Sequence, residues 1–81
     1  MFDAHQPKFR IHQRVVALQD LVNDGSYPDA AADELLVASG SCGDVVRIGR
    51  HTETAAFIYV IDFGRRVLGC VEHELDAARP A

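Results

Sequence analysis

Residues 55–63 read AAFIYVIDF, and this stretch decides the fold class. Aromatic and β-branched residues favour a strand, and the side chains of a strand alternate between two faces. One face carries Phe57, Tyr59, Ile61 and Phe63, and the other carries Ile58 and Val60. Because both faces are apolar, we expect this strand to be central in its sheet and covered on each side.

The residues after this strand predict a hairpin and a return strand. Gly64, Arg65 and Arg66 form a tight turn signal. Residues 67–71 (VLGCV) then have the composition of a strand. Residues 72–75 (EHEL) close the domain, with Leu75 available to cover the core. Residues 76–81 are predicted to form a C-terminal tail.

Two further strands are predicted before the central one. Residues 14–18 (RVVAL) are a short β-branched run, and residues 45–48 (VVRI) are another, which Gly49 interrupts. Residues 40–44 (GSCGD) contain two glycines and predict a turn. Residues 51–54 are polar and predict a loop, and residues 1–7 predict a flexible N-terminal arm.

A long acidic segment separates the first strand from the rest. Residues 20–34 hold five acids and no base, and they include the turn-forming string Asn23, Asp24, Gly25, Ser26, Tyr27 and Pro28. This composition predicts a long surface loop. Residues 28–36 (PDAAADELL) fit a turn or two of helix after the proline. Residues 35–37 also fit the entry into a strand, which we favour.

These elements together predict an all-β fold. About five short strands with closely spaced turns and little helix are typical of a small antiparallel barrel of the SH3-like kind. The long acidic loop follows the first strand of this barrel. We expect the barrel to occupy residues 8–75, between the arm and the tail.

Composition bounds the function. The chain has 81 residues and a net charge of −4, which argues against general nucleic-acid binding. Its longest apolar run is too short to span a bilayer as a helix, and no leader-like segment opens the sequence. Two cysteines do not make a disulfide framework. A single cytoplasmic domain is therefore expected.

The cysteines and histidines are the candidates for metal or catalytic chemistry. Of Cys42, His51, Cys70 and His73, only Cys70 and His73 have a ligand-like spacing, and structural zinc sites need two such pairs. Cys70 is in strand phase with Leu68 and reads as a small buried apolar residue. No nucleophile and base have an orienting third group. We predict no metal, no cofactor and no enzymatic activity.

Several strings in this chain resemble the NifZ family of nitrogen-fixation accessory proteins. They are residues 23–28 (NDGSYP), 34–37 (ELLV), 43–49 (GDVVRIG), 58–63 (IYVIDF) and 67–70 (VLGC), with Glu74 and Leu75 at the end. The resemblance spans about residues 8–75. Asp29 and residues 50–53 (RHTE) depart from the family pattern, in which a glycine and a hydroxyl-aromatic segment are usual.

The resemblance implies a non-enzymatic assembly factor. Such a protein acts on an immature molybdenum–iron nitrogenase component and helps its iron–sulfur P-clusters to mature. We expect Tyr27 and Pro28 to contact this client, while Asn23 and Asp24 fix the loop between them and the barrel. Tyrosine is enriched where proteins meet, because it buries a large area at little entropic cost.

Four arginines form a second candidate surface. Arg47, Arg50, Arg65 and Arg66 flank the central strand, and we expect them to gather on one side and steer the encounter with the partner. Two alternatives stay open at this point. One is an SH3-like subunit of another redox enzyme, and the other is a small metal- or thiol-sensing domain that uses Cys42 and Cys70. The sequence leaves the oligomeric state open.

Overall fold

Short strands make up nearly all the regular structure of the chain, in a computed structural model that describes residues 6–25, 27–53 and 56–78. The strands are β1 (Arg14–Ala17), β2 (Leu21–Val22), β3 (Leu35–Val37), β4 (Cys42–Arg50), β5 (Phe57–Asp62), β6 (Val67–Val71) and β7 (Leu75–Ala77). One 3-10 turn (Glu72–Glu74) joins β6 to β7. The all-β class is confirmed. No helix in these ranges is long and apolar enough to cross a membrane.

Five of the strands form an antiparallel sheet in the order β6-β5-β4-β1-β7, and β2 pairs with β3 in a separate two-stranded sheet. β4 takes the central place, so β5, which was expected to be central, lies second from one edge. β6 and β7 are the two edges of the larger sheet, and no strand pairing joins them among the described residues. A closed SH3-like barrel therefore stays a prediction.

The acidic segment contains more structure than a surface loop. β2 lies at its start and pairs antiparallel with β3, which follows directly after it, and Leu21 is buried. Residues 28–34 run through turns into β3 without an α-helix, so the strand was the correct alternative. The loop proper is confined to residues 23–34.

β4 is longer than predicted at both ends. Cys42, Gly43 and Asp44 belong to it instead of forming a turn, and it continues through Gly49 to Arg50. A Cβ atom on Gly43 would lie 2.6 Å from the Ile61 Cγ2 atom, so this glycine permits close strand packing and does not mark a turn. A register shift between Val45 and Arg47 bends the strand and changes which residues face inward.

The core lies on one face of the larger sheet. Its buried members are Phe9, Val15, Ala17, Leu21, Val37, Val45, Tyr59, Ile61, Leu68, Cys70 and Leu75. Tyr59 and Ile61 alternate with Ile58 and Val60, which are half-buried on the outer face. The sheet is therefore covered fully on one side only, and the predicted cover on both sides of β5 is incomplete.

The C-terminal part follows the prediction closely as far as Leu75. Residues 63–66 form the hairpin turn, with Gly64 at φ 97° and a Phe63 N–H to Arg66 carbonyl hydrogen bond of 2.9 Å. Leu75 is 1% exposed and covers the core as expected. β7 pairs with β1 through Ala77, two residues into the predicted tail. Residues 79–81 lie outside the described ranges, as do residues 1–5 of the predicted arm.

Candidate functional site

The loop between β2 and β3, residues 23–34, is organised by one buried asparagine. Asn23 is 2% exposed. Its Nδ2 group donates to the carbonyls of Tyr27, Ala30 and Ala31 at 2.9, 2.9 and 3.0 Å. Its Oδ1 atom accepts from the N–H groups of Gly25 and Tyr27, both at 3.0 Å. One amide side chain therefore holds both halves of the loop.

Main-chain hydrogen bonds close the base of the loop. The Asn23 N–H donates to the Glu34 carbonyl at 2.8 Å, and the Asp33 N–H donates to the Asn23 carbonyl at 2.8 Å. Asp33 has φ 65°, a left-handed conformation in which aspartate is enriched among non-glycine residues. The Glu34 Oε1 atom accepts from the Ala31 N–H at 3.0 Å. The loop is a folded unit with its own internal bonds.

Tyr27 attaches this loop to the β5–β6 hairpin. It is half-buried against the core, and the Arg66 guanidinium lies 5.4 Å from its ring centroid, within cation–π range. The same guanidinium is 3.2 Å from the Glu34 carboxylate. The acidic loop and the basic hairpin thus contact each other. They do not stand apart as two oppositely charged surfaces.

The outer part of the loop carries the exposed candidates. Asp24, Gly25, Pro28 and Asp29 are exposed. Gly25 has φ 102°, which glycine adopts without the steric strain that other residues meet. Ser26 lies outside the described residues. The tip of the loop, Pro28 and Asp29, is therefore exposed to solvent, and the hydrogen bonds of Asn23 fix the backbone on either side of it.

The four candidate arginines lie at different points along β5 and its hairpin. Arg47 lies opposite Val60 and shares the outer face of the sheet with it. Arg50 is placed opposite Phe57, with its guanidinium 4.9 Å from the Phe57 ring centroid. Arg65 and Arg66 lie in the hairpin beyond the other end of β5. Arg50 and the two hairpin arginines therefore lie at opposite ends of β5, and their joint action on a partner stays a prediction.

The cysteines differ in environment. Cys42 is exposed at the start of β4, and Cys70 is buried in β6. Burial raises the pKa of the Cys70 thiol to about 12, and the negative charge of Glu74 acts in the same direction. His51 and His73 are exposed. The described ranges contain no group of three or more His, Cys, Asp or Glu side chains placed to hold a metal ion.

Sequence reasoning missed a hydrogen-bonded cluster around Tyr59. The Tyr59 hydroxyl donates to the Glu72 carboxylate at 2.6 Å and accepts from the Lys8 N–H at 2.8 Å and the Phe9 N–H at 3.4 Å. Phe9 is 1% exposed, and its ring meets the Tyr59 ring edge-on at 5.2 Å. Burial, with the Glu72 hydrogen bond, raises the pKa of Tyr59. No periodic pattern marked Phe9, since it lies outside the strands.

Comparison with known proteins places this arrangement in a family. A family model described as the NifZ domain matches residues 6–77, which include β1 to β7 and the 23–34 loop. The chain belongs to the NifZ family. The resemblance that the NDGSYP string indicated is confirmed.

Curated relatives with the name Protein NifZ come from two genera. The one from Frankia alni is 40% identical over 70 residues, covering 83% of this chain and 36% of the relative. The one from Azotobacter vinelandii is 31% identical over 71 residues, covering 85% of this chain and 44% of the relative. The chain thus spans less than half the length of these NifZ proteins. No solved structure matches it at a significant level.

Proposed function

We propose that this NifZ domain is a non-enzymatic, cytoplasmic nitrogen-fixation accessory module. It binds the molybdenum–iron component of nitrogenase, or an assembly intermediate of that component, and assists P-cluster maturation. Membership of the NifZ family is the observation that carries the proposal. The 23–34 loop, which holds the most distinctive family string, supplies the recognition surface.

The geometry of the loop supports a binding role. Its internal hydrogen bonds fix the backbone before any partner arrives, so little conformational entropy is lost on binding. Pro28 and Asp29 are exposed at its tip. The exposed part of the Tyr27 side chain lies beside them. Its buried part packs against the core, and its ring contacts Arg66 of the hairpin.

A module of this kind acts by differential affinity. It shifts a maturation equilibrium only if it binds the immature state of its client more tightly than the finished one. A coupling free energy of about 1–3 kcal/mol changes the relative affinity by roughly 5- to 150-fold. This mechanism needs no bound cofactor and no turnover by the domain itself.

Affinity capture tests the proposal. The purified chain is immobilised and presented with molybdenum–iron component from a strain blocked in P-cluster maturation, and separately with the mature component. We expect at least tenfold tighter retention of the immature form. Equal retention of both forms would point to a permanent subunit role, and retention of neither would overturn the proposal.

Variants at the loop tip locate the contact. Replacing Pro28 and Asp29 together by alanine is expected to weaken client binding at least tenfold. Both side chains are exposed, so stability should fall only by about 0.4–1 kcal/mol, which is what loss of a loop proline costs. Glu53→Ala, in the exposed connection after β4, is the matched control and should bind as the native chain does. Native affinity in the tip variant would remove the loop from the recognition surface.

A further inference from the structure

An open groove runs between the smaller sheet and the edge of the larger one. Its volume is about 520 Å³. One wall comes from Leu21, Val22, Tyr27 and Leu36, and the opposite wall is β6 itself. Val22 and Val67 face solvent at its margins, 53% and 50% exposed. Leu68 and Cys70 are buried beneath it. The groove therefore combines apolar side chains with the side of a strand.

The hydrogen-bond register shows which β6 groups point into this groove. Phe63 and Arg66 form a hydrogen-bonded pair. Bonded pairs then recur at every second position, so Leu68 and Cys70 are the β6 residues bonded to β5. The N–H and C=O groups of Val67 and Gly69 consequently point away from β5, along the edge of the sheet.

The far end of β6 agrees with this register and limits the open edge. The Val71 N–H, which must point in the same direction as those of Val67 and Gly69, donates to the Glu74 carboxylate at 3.0 Å. Glu74 thus covers one end of the edge with a side chain. The open part is the stretch from Val67 to Gly69, enough for an added strand to form about two pairs of main-chain hydrogen bonds.

The charge of the groove selects its occupant. Asp20, Asp24 and Glu74 line it, and its other described lining residues include no lysine or arginine. The Asp20 carboxylate accepts from the Ser39 N–H at 2.8 Å, which holds this acid in place. A peptide with basic side chains would complement this field. A second acidic copy of this chain would be repelled, since the net charge is −4.

We propose that the groove binds an extended, lysine- or arginine-containing segment of a partner protein, which adds to β6 as a further antiparallel or parallel strand. Main-chain bonds to Val67 and Gly69 give the affinity, and the acids select the charge, as in other cases of strand addition. This inference deepens the proposed protein-recognition function, on which it rests for its biological meaning. It assigns a surface that borders the loop at Tyr27 and does not include Pro28 or Asp29.

Amide hydrogen exchange in the full chain tests the inference directly. The probe is a capped hexapeptide of alternating lysine and valine. Its controls are the glutamate–valine peptide and a lysine–valine peptide N-methylated at every residue. We expect the first peptide to slow exchange of the Val67 and Gly69 amides at least tenfold, while Leu68 and Cys70 are protected already. Neither control peptide should do so.

Variants separate strand addition from simple charge attraction. Val67→Pro removes one groove-facing N–H at the first residue of an edge strand, where proline is tolerated. Glu74→Gln keeps an oxygen for the Val71 N–H but removes a charge. Both are expected to weaken peptide binding at least fivefold with the fold intact. Glu53→Gln, which does not line the groove, should bind as the native chain does.

Each outcome decides the inference. If the N-methylated peptide bound as tightly as the unmethylated one, or if Val67→Pro bound the peptide as tightly as the native chain, only charge attraction would remain. Either result would overturn strand addition. Absence of binding at millimolar peptide would also overturn it, and self-association blocked by Val67→Pro would assign the edge to a second copy. Client capture is scored separately. If the chain captures the client but does not bind the peptide, the proposed function stands and the groove proposal fails. If it binds the peptide but does not capture the client, the groove proposal stands and the proposed function fails.

Discussion

At the scale of single residues, Asn23 fixes its surroundings through its side chain, and Gly43 permits close packing through the absence of one. Asn23 is the buried polar member of the described core, and every hydrogen-bonding atom of its amide has a partner. Gly43 has no side chain, and the space that a Cβ atom would fill belongs to its neighbours. Both residues can therefore be tested by single substitutions.

Asn23→Ala is expected to lower the free energy of unfolding by about 2–3 kcal/mol, because the substitution leaves the N–H groups of Gly25 and Tyr27 without their acceptor. Urea denaturation followed by circular dichroism measures the change. Asn23→Asp keeps an acceptor but cannot donate to the three carbonyls, so its stability should also fall below that of the native chain. A loss under about 0.5 kcal/mol in the alanine variant would contradict the conclusion that Asn23 holds the loop together.

Gly43→Ala is expected to destabilise the chain by about 2–3 kcal/mol, since the new methyl group would meet the Ile61 side chain and lie 2.8 Å from the Asp62 carbonyl oxygen. Gly49→Ala is the matched control on the same strand. Nothing lies within 4 Å of its added Cβ atom, so its stability should change by less than about 0.5 kcal/mol. Thermal unfolding of the two variants side by side distinguishes packing from a general effect of alanine.

The same two residues mark what sequence can and cannot predict about a site. The string around Asn23 predicted a fixed loop, because asparagine and glycine have well-defined turn chemistry. The hydrogen bonds from Asn23 to the Ala30 and Ala31 carbonyls had no sequence signal, since they depend on the path of the loop back to β3. Gly43 predicted a turn in error, because a glycine required by packing and a glycine required by a turn look alike in sequence.

At the scale of elements, Lys8 and Phe9, in the described residues before β1, are held by contacts with β5 and with the 3-10 turn. Lys8 and Phe9 donate their N–H groups to the Tyr59 hydroxyl, and the Phe9 ring fills the end of the core. Lys8 N–H also lies 3.2 Å from the Glu72 carboxylate. The 3-10 turn between β6 and β7 is thereby linked to the N-terminal segment.

Tyr59→Phe should release this segment while leaving the aromatic packing in place. We expect the amides of Lys8 and Phe9 to exchange at least fivefold faster, with a loss of about 1–2 kcal/mol in the free energy of unfolding. Hydrogen exchange by NMR measures the first and urea denaturation the second. Tyr27→Phe, at the half-buried loop tyrosine, serves as control and should leave exchange at both amides unchanged. Unaltered exchange in Tyr59→Phe would show that ring packing alone holds the segment.

Strand existence was easier to predict than strand position. The runs of β-branched and aromatic residues located β1, β5 and β6, because these residue types favour strands. The order of the strands and the register shift in β4 depend on how strands pair, which the composition of each strand does not encode. For this reason the positions of the four arginines relative to one another could not be predicted from the sequence.

At the scale of the whole molecule, the buried Cys70 thiol links stability to pH. Its pKa lies at about 12 in the folded chain, raised from 9.0 by burial and by Glu74. Between these values the folded state keeps a proton that the unfolded state releases, so the free energy of unfolding should fall as pH rises from 9 towards 12. Tyr59, whose pKa is also raised, acts in the same direction above pH 10.

Unfolding measured at intervals between pH 8 and pH 11 checks this dependence. Cys70→Ala should show a shallower decline than the native chain, whatever its absolute stability. Alkylation by iodoacetamide at pH 8 should modify Cys42 quickly and Cys70 only on unfolding. Equal slopes in the native chain and Cys70→Ala would refute the assignment.

The pairing of β1 with β7 has a consequence for how the chain folds. Val15 meets Ala77, so the outer strand of the larger sheet joins residues from the two ends of the described sequence. Such distant pairings slow folding to the range of roughly milliseconds to seconds. A ribosome adding about 5–20 residues per second would expose β1 for several seconds before β7 emerges. In the cell, the nascent chain therefore exposes the unpaired edge of β1 until β7 has been synthesised. Nascent-chain chaperones can bind during that interval.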